Sequence, residues 1–250
     1  MSRSWIAPAL AVAALTLGAS AAVAAPPAYI TAAVADPGRP AADTARDAER
    51  KPAEVLAFAG VKPGQVVGEL MPGGGYFTRI LAKAVGPKGK VYALFPDGIA
   101  KRAPQMIDGA KAIGPNVVVI VNDGSAAGAP EKFDVLWTSE NYHDFHNSFP
   151  PGSPPPDIAK FNKAAWDALK PGGVFVIEDH AAAADAGPDS TSKLHRINPA
   201  QVKTELAAAG FKLVGESDLL KNPADAHDKP VFDPAIKGHT DKLLMKFKKP

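Results

Sequence analysis

The stretch of the chain that decides the fold is QVVGELMPGGGYFTRILAKAVG, residues 65–86. Its first part, 65–70, has the length and apolar content of a short buried strand. Three glycines follow at 73–75, where they allow a ligand to approach the backbone. From Phe77 onward apolar residues recur at helical spacing, which predicts an amphipathic helix that ends at Gly86. Because a helix start presents free N–H groups, this order of elements favours a binding site over a plain turn.

The alternation of strand and helix continues along the chain. Apolar runs predict further strands at 90–95, 117–121, 133–138, 174–178, 211–217 and 243–247. Helical patterns lie at 52–59, at 99–113 with a perturbation at Pro104, after Asp157 and after Asn198. Apolar strands that alternate with helices indicate a parallel sheet covered on both faces. The last two strands lack a helix pattern between them and are predicted to be antiparallel.

Composition narrows the classes of function. The chain has 250 residues, 46% of them hydrophobic, which is enough for a well-buried globular domain. It contains no cysteine, which excludes disulfides, thiolate zinc sites and cysteine nucleophiles. Its 28 basic and 26 acidic residues nearly balance, so the chain lacks the excess of positive charge that is typical of nucleic-acid-binding proteins. We therefore expect a small-molecule substrate and no nucleic-acid partner, and the composition predicts no oligomeric state.

The N-terminal part of the chain has the pattern of a secretory signal peptide. Arg3 supplies a basic start, an apolar stretch follows, and residues 22–24 form a small-residue cleavage site. We predict a signal peptide over 1–24, a flexible tether rich in alanine and proline over 25–42, and a folded domain over 43–250. The mature protein is expected to be periplasmic or secreted, with no stable membrane anchor after cleavage.

Histidines and carboxylates follow the ends of the predicted strands. Ligands of parallel sheets bind beyond the carboxyl ends of the strands, so these side chains are expected to converge. A histidine beside a carboxylate can act as a general base on a hydroxyl or amine. The same groups can instead bind a divalent metal or satisfy buried polar groups; the pattern leaves these roles open, and no metal ligand is assigned. The candidate catalytic residues are Tyr142, His143, Asp144, Asp179, His180 and His195.

Several short motifs make the chain resemble a known family. The strand that ends in an acid, the glycine loop after it, the turn NDG at 122–124 and the segment LKPGGVFVI at 169–177 are similar to class I S-adenosylmethionine-dependent methyltransferases. The segments RKPAEVL at 50–56, YHD at 142–144, LHRI at 194–197 and GHTD at 238–241 are similar to a group of predicted exported methyltransferases. The resemblance extends from residue 43 onward.

This resemblance implies an α/β fold with a Rossmann-like, seven-stranded, mostly parallel sheet, helices on both faces and an antiparallel last strand. It also implies S-adenosylmethionine as the cofactor and methyl transfer to an oxygen or nitrogen of a small molecule. The positions that match the family's cofactor residues are Glu69, Pro72, Gly73 and Gly75 for the methionine part, and Asp123 and Gly124 for the adenine.

The chain departs from the family pattern at two places. Met71 stands where the first loop glycine is usual, and Leu94-Phe95 stand where the second strand usually ends in an acid. Asp97 is the residue expected to replace that acid in binding the ribose. Because of these departures, the alternative is a catalytically degenerate, methyltransferase-like binding or accessory protein of the cell envelope.

Overall fold

The computed structural model describes residues 25–148 and 154–250, so the expected signal peptide lies outside the described residues. The strands are β1 (Val66–Leu70), β2 (Lys90–Pro96), β3 (Val117–Asn122), β4 (Phe133–Ser139), β5 (Leu169–His180), β6 (Lys212–Glu216) and β7 (Lys242–Lys248). The helices are α1 (Ala28–Val34), α2 (Ala41–Thr44), α3 (Asp47–Arg50), α4 (Pro52–Ala59), α5 (Tyr76–Val85), α6 (Asp97–Arg102), α7 (Pro104–Lys111), α8 (Ile158–Ala168), α9 (Ser190–Lys193) and α10 (Pro199–Ala208). A 3₁₀ helix covers Tyr142–His146.

The seven strands form one sheet in the order β3-β2-β1-β4-β5-β7-β6. β1 to β5 run parallel, and β7 runs antiparallel to both of its neighbours. This topology confirms the predicted fold class, including the antiparallel last strand. The strand order reverses between β1 and β4, and ligands of such sheets bind at the carboxyl ends of the strands beside this point.

Both faces of the sheet carry a hydrophobic core, because successive residues of a strand point to opposite faces. On β4, Trp137 belongs to the core that α1, α4 and α5 cover, and Leu136 belongs to the core beneath α8 and α10. β1 approaches the second core so closely that a Cβ atom at Gly68 would lie 2.6 Å from the Phe133 ring. The centre of β1 therefore requires glycine.

The N-terminal segment is not a flexible tether. Residues 28–34 form α1, and its Ile30 and Ala33 are buried in the same core as α5. The hydroxyl of Tyr29 also donates a hydrogen bond to the carbonyl of Val61 at 2.9 Å. The tether predicted over 25–42 is therefore wrong for this segment, because two apolar residues three positions apart give the short helix a buried face.

Two further element boundaries differ from the prediction. The helix predicted over 99–113 is divided into α6 and α7, since Pro104 lacks an N–H group and restricts the residue before it. β5 starts directly after α8, so the predicted turn at 170–173 lies within the irregular beginning of that strand. Within the described ranges, no helix is both long enough and apolar enough to cross a membrane.

Candidate functional site

The glycine loop between β1 and α5 is a tight turn. The N–H of Gly75 donates to the carbonyl of Pro72 at 2.9 Å. Gly73 and Gly75 have φ values of 56° and 80°, a left-handed conformation that favours glycine. Met71 has a φ of 50° although it carries a side chain. This residue therefore holds a strained conformation that glycine would adopt freely.

A cavity of about 220 Å³ lies beside this loop, at the carboxyl ends of β1 and β4. Of the predicted cofactor residues, Glu69, Pro72 and Gly73 line it, and Gly75 caps the start of α5 next to it. A larger, open depression of about 600 Å³ lies beside α1. No residue from a strand end lines this depression, so the smaller cavity is the candidate site.

Glu69 is the buried acid at the end of β1. The hydroxyl of Thr78 donates to its Oε2 at 2.6 Å, which ties the strand to α5. Burial raises the pKa of Glu69 to about 7, against the opposing effects of the Thr78 hydrogen bond and of Arg50 and Arg79. The residue can therefore change its charge near neutral pH.

Arg50 is a cavity residue to which the sequence assigned no role. It is 6% exposed, and its guanidinium lies 4.6 Å from the centre of the Tyr76 ring. Its Nη2 donates to the hydroxyl of Ser139 at 2.7 Å and lies 3.3 Å from a carboxylate oxygen of Glu140. Burial alone would raise the pKa of Glu140. The positive charge of Arg50 is the main cause that outweighs burial and lowers this pKa to about 2. The signal that could have found Arg50 is its place at the head of the RKPAEVL motif.

The other predicted cofactor residues lie at the ends of β2 and β3. Asp123 and Gly124 follow β3, and a Cβ atom at Gly124 would lie 3.2 Å from the ring of Pro96. Asp97 is exposed at the first position of α6, and Phe95 is buried in the core. The end of β2 thus offers no buried carboxylate. None of these residues is among those that line the cavity.

The predicted histidine cluster forms at the carboxyl ends of β4 and β5. His143 Nδ1 lies 2.8 Å from Asp179 Oδ1, and its backbone N–H donates to the other oxygen of this carboxylate at 2.7 Å. On the opposite side of the ring, His143 Nε2 lies 3.2 Å from His195 Nδ1 and 3.3 Å from Asp144 Oδ1. The His180 ring lies 6.1 Å from the His143 ring, and its Nδ1 is 2.8 Å from the hydroxyl of Thr240.

The charges of His143 and His180 differ. Burial disfavours a charged His143, but Asp179 and Asp144 outweigh it and raise the pKa of His143 to about 10. Burial lowers the pKa of His180 to about 4, although Glu140 opposes this shift. His143 is therefore protonated and His180 neutral at pH 7, so the site gives neither of them the pKa near 7 that suits a general base.

Tyr142 does not reach this cluster. Its side chain is fully buried, its hydroxyl donates to Glu205 at 3.0 Å, and it accepts from the amide of Asn162 at 2.9 Å. The ring also makes edge contacts with Phe161 and Phe175. The structure therefore places the side chain of Tyr142 in the core beneath α8 and α10 and outside the histidine cluster.

The folded chain is similar to solved structures of methyltransferases. It superposes on an S-adenosylmethionine-dependent methyltransferase from Aquifex aeolicus with a TM-score of 0.53 and 20% identity, covering 81% of this chain and 89% of that chain. It also superposes on an S-adenosylmethionine-dependent methyltransferase from Mesorhizobium loti with a TM-score of 0.53 and 19% identity, covering 78% of this chain and 95% of that chain. The fold is that of the class I methyltransferases. No protein-family model matches the chain, and no curated protein matches its sequence.

A third similar structure is described as a possible exported protein from Bordetella parapertussis, with a TM-score of 0.52 and 16% identity over 83% of this chain and 67% of that chain. In the methyltransferase fold of the present chain, the cavity and the histidine cluster are neighbours. Asn141 lines the cavity, and His143 follows two residues later. The segment after β4 therefore joins the two groups of candidate residues.

Proposed function

We propose that this protein is an S-adenosylmethionine-dependent methyltransferase that acts on an oxygen or nitrogen atom of a small molecule. The observation that carries the proposal is the cavity at the glycine loop of a methyltransferase fold, beside the point where the strand order reverses. The solved methyltransferases with this fold support S-adenosylmethionine as the cofactor.

The donor groups at the cavity fit the methionine part of that cofactor. When bound, the cofactor supplies a methyl group on a positively charged sulfur. Arg46, whose side chain is 47% exposed, offers a positive charge to a carboxylate. Glu140, whose pKa is lowered to about 2, offers a negative charge to an ammonium group, and Glu69 does so when it is ionised. Gly73 lets the ligand approach the backbone. The proposal places Asp123 and Gly124 beside the adenine.

The acceptor is proposed to bind on the side of the histidine cluster. Asp144 and His195 each expose about a third of their side chains, 33% and 32%. His143 and Asp179 are buried behind them and are held in place by hydrogen bonds to each other. Asp144 and His195 are thus the groups of this cluster that an incoming acceptor would meet, and the buried pair acts by positioning them.

Titration calorimetry with S-adenosylmethionine and with S-adenosylhomocysteine tests the proposal on residues 25–250. We expect both to bind, and we expect Gly73→Val to weaken binding at least tenfold because its side chain would narrow the cavity. Gly60→Val is the matched control, since Gly60 also has a left-handed φ and open space but lies at the end of α4. If neither compound binds to the folded protein, the proposal is overturned.

We also propose that the chain is exported, with residues 1–24 as the signal peptide and a periplasmic or secreted mature protein. The pattern of the N-terminal sequence supports this proposal. N-terminal sequencing of the protein from the periplasmic fraction is expected to begin at Ala25. An intact N-terminus in the cytoplasmic fraction would contradict it.

The second candidate is a methyltransferase-like binding or accessory protein of the cell envelope. The end of β2 favours it, because Phe95 is buried there and the nearest carboxylate, that of Asp97, is exposed. The cavity is also smaller than the ~300–1,000 Å³ of typical small-molecule sites. The same calorimetry decides between the two candidates, since the accessory protein needs no affinity for S-adenosylmethionine.

A further inference from the structure

We propose that His143, Asp144 and His195 bind one divalent transition-metal ion, with zinc as the best match. The three residues offer His143 Nε2, Asp144 Oδ1 and His195 Nδ1, and these atoms lie close together at the carboxyl ends of β4 and β5. Two imidazoles with one carboxylate suit zinc, iron, cobalt or nickel, whereas magnesium and calcium prefer an all-oxygen set.

The distances between the three atoms match the coordination geometry of zinc. Ligand nitrogen and oxygen atoms at about 2.0–2.1 Å from a tetrahedral ion lie roughly 3.3 Å from one another. The observed separations are 3.2 Å between His143 and His195, 3.3 Å between His143 and Asp144, and 3.6 Å between His195 and Asp144. An ion can therefore contact all three atoms with little movement of the side chains, provided that Nε2 of His143 releases its proton to the solvent when the metal binds, as ligating histidines do.

Asp179 prepares His143 for this role. It accepts a hydrogen bond from Nδ1 at 2.8 Å, so Nε2 is the nitrogen that faces the other two residues. Its carboxylate is fully buried and is fixed in addition by the backbone N–H groups of His143 and His180. A carboxylate that orients a ligating histidine through its second nitrogen is the usual support of a metal ligand in proteins.

A second support holds His195. This residue has a φ of 53°, a conformation that a residue with a side chain adopts at a cost. Its neighbour Arg196 is fully buried and donates to both carboxylate oxygens of Asp225, at 2.8 and 3.0 Å, and to the carbonyl of Ala181 at 3.0 Å. The rigid attachment of Arg196 fixes the backbone on which the His195 ring is carried.

The proposed ion would keep one side open. Three protein ligands with an open position are typical of catalytic rather than structural zinc. Phe232 is 62% exposed, and its ring lies 4.8 Å from that of His195. If the proposed methyltransferase function holds, the ion would bind the acceptor through an oxygen or nitrogen atom while Phe232 contacts an apolar part of the same molecule.

Metal binding is tested directly on residues 25–250, without S-adenosylmethionine. Chelator-treated protein is titrated with zinc by calorimetry, and its cobalt complex is examined by absorption spectroscopy. We expect one equivalent of zinc and the intense visible bands of four-coordinate cobalt. Asp144→Ala and His195→Ala are expected to weaken binding by more than ~100-fold, and Asp179→Asn by about 10–100-fold.

His239→Ala is the control, because His239 is 69% exposed and lies outside the cluster. Circular dichroism shows which variants fold, and His195→Ala is the decisive variant, since the His195 ring is one-third exposed. Failure of the wild-type protein to bind zinc or cobalt, or unchanged binding by folded His195→Ala, would overturn the proposal. Calorimetry with S-adenosylmethionine on the metal-free protein then tells separately whether the proposed function stands.

Discussion

At the scale of single residues, three of the five non-glycine residues that have a left-handed φ in the described ranges lie at the candidate site. Met71, Glu140 and His195 have left-handed φ values of 50°, 58° and 53° although none of them is glycine. Met71 and Glu140 line the cavity, and His195 belongs to the histidine cluster. Each such residue costs of order 1–3 kcal/mol and persists only where the surrounding structure fixes it. The strained backbone conformation is thus found where it positions side chains at the site.

Glu69→Gln tests the buried acid of β1 through the pH dependence of stability. Burial raises the pKa of Glu69 from 4.5 to about 7, so the folded chain holds this proton more tightly than the unfolded chain. That stabilisation is complete below pH 4.5 and is lost as the pH rises through 7. Glutamine stays neutral, so we expect the stability of the variant relative to wild type to increase by about 3 kcal/mol between pH 4 and pH 8.

Urea unfolding at a series of pH values measures this difference. Glu216→Gln, a change at an exposed glutamate of β6, controls for the loss of a carboxylate as such. A difference between Glu69→Gln and wild type that is independent of pH would show that Glu69 has the same charge in the folded and unfolded chains.

At the scale of elements, the connection between β6 and β7 is fixed to the rest of the molecule at several points. Arg196 donates to the carbonyl of Lys229 at 3.1 Å and pairs with Asp225. The backbone N–H of Val231 also donates to the carbonyl of Leu194 at 3.1 Å. The connection therefore has a defined position, and through it Phe232 lies beside His195.

Arg196→Met is expected to destabilise the protein by about 3–5 kcal/mol, because Asp225 would remain charged and buried without its partner. The double variant Arg196→Met with Asp225→Asn should recover part of this loss, since asparagine is uncharged and its oxygen can still accept from the N–H of Asp241. Equilibrium urea unfolding measures both effects.

The exposed pair of Lys203 and Glu216 supplies the control for this experiment. Lys203→Met should cost less than ~1 kcal/mol, as surface ion pairs contribute little. The assignment of Arg196 as the anchor of the connection fails if Arg196→Met is as mild as this surface change.

At the scale of the whole molecule, the N-terminal segment completes one of the two cores. α1 packs on α4 and α5, and Ile30 is fully buried between them. Arg39, just after α1, donates two hydrogen bonds of 2.7 Å to Asp47 of α3, which connects the segment to the cavity wall. The folded unit therefore begins before residue 43.

Ile30→Ala tests this role of α1. Removing a fully buried isoleucine side chain should lower the free energy of unfolding by about 2–5 kcal/mol. Thr31→Ala, at an exposed position of the same helix, should change it by no more than ~0.5 kcal/mol. Thermal and urea unfolding give both values, and an unchanged stability of Ile30→Ala would restore the view of this segment as a tether.

The sequence predicts the sheet better than it predicts the site. Seven apolar runs identify the seven strands. The inner strands are apolar because both of their faces are buried, whereas the edge strands β3 and β6 are apolar although they are partly exposed. α1 is not predicted, since its buried face is only Ile30 and Ala33 within an alanine-rich segment. The approach of His195 to His143, 52 positions earlier, follows from the parallel topology, whereas the role of Arg50 depends on side-chain contacts that no periodicity records.

The order of the last strands has a consequence for how the chain reaches its native state. β6 precedes β7 in the chain, but β7 separates β6 from the rest of the sheet. During synthesis the five parallel strands can pair while β6, with its apolar Leu213 and Val214, is still unpaired because β7 has not yet been made. An unpaired apolar strand is a target for aggregation and for chaperones. The yield of native protein during synthesis should therefore depend on how quickly β7 pairs with β5 and β6, more than on the stability of the finished fold.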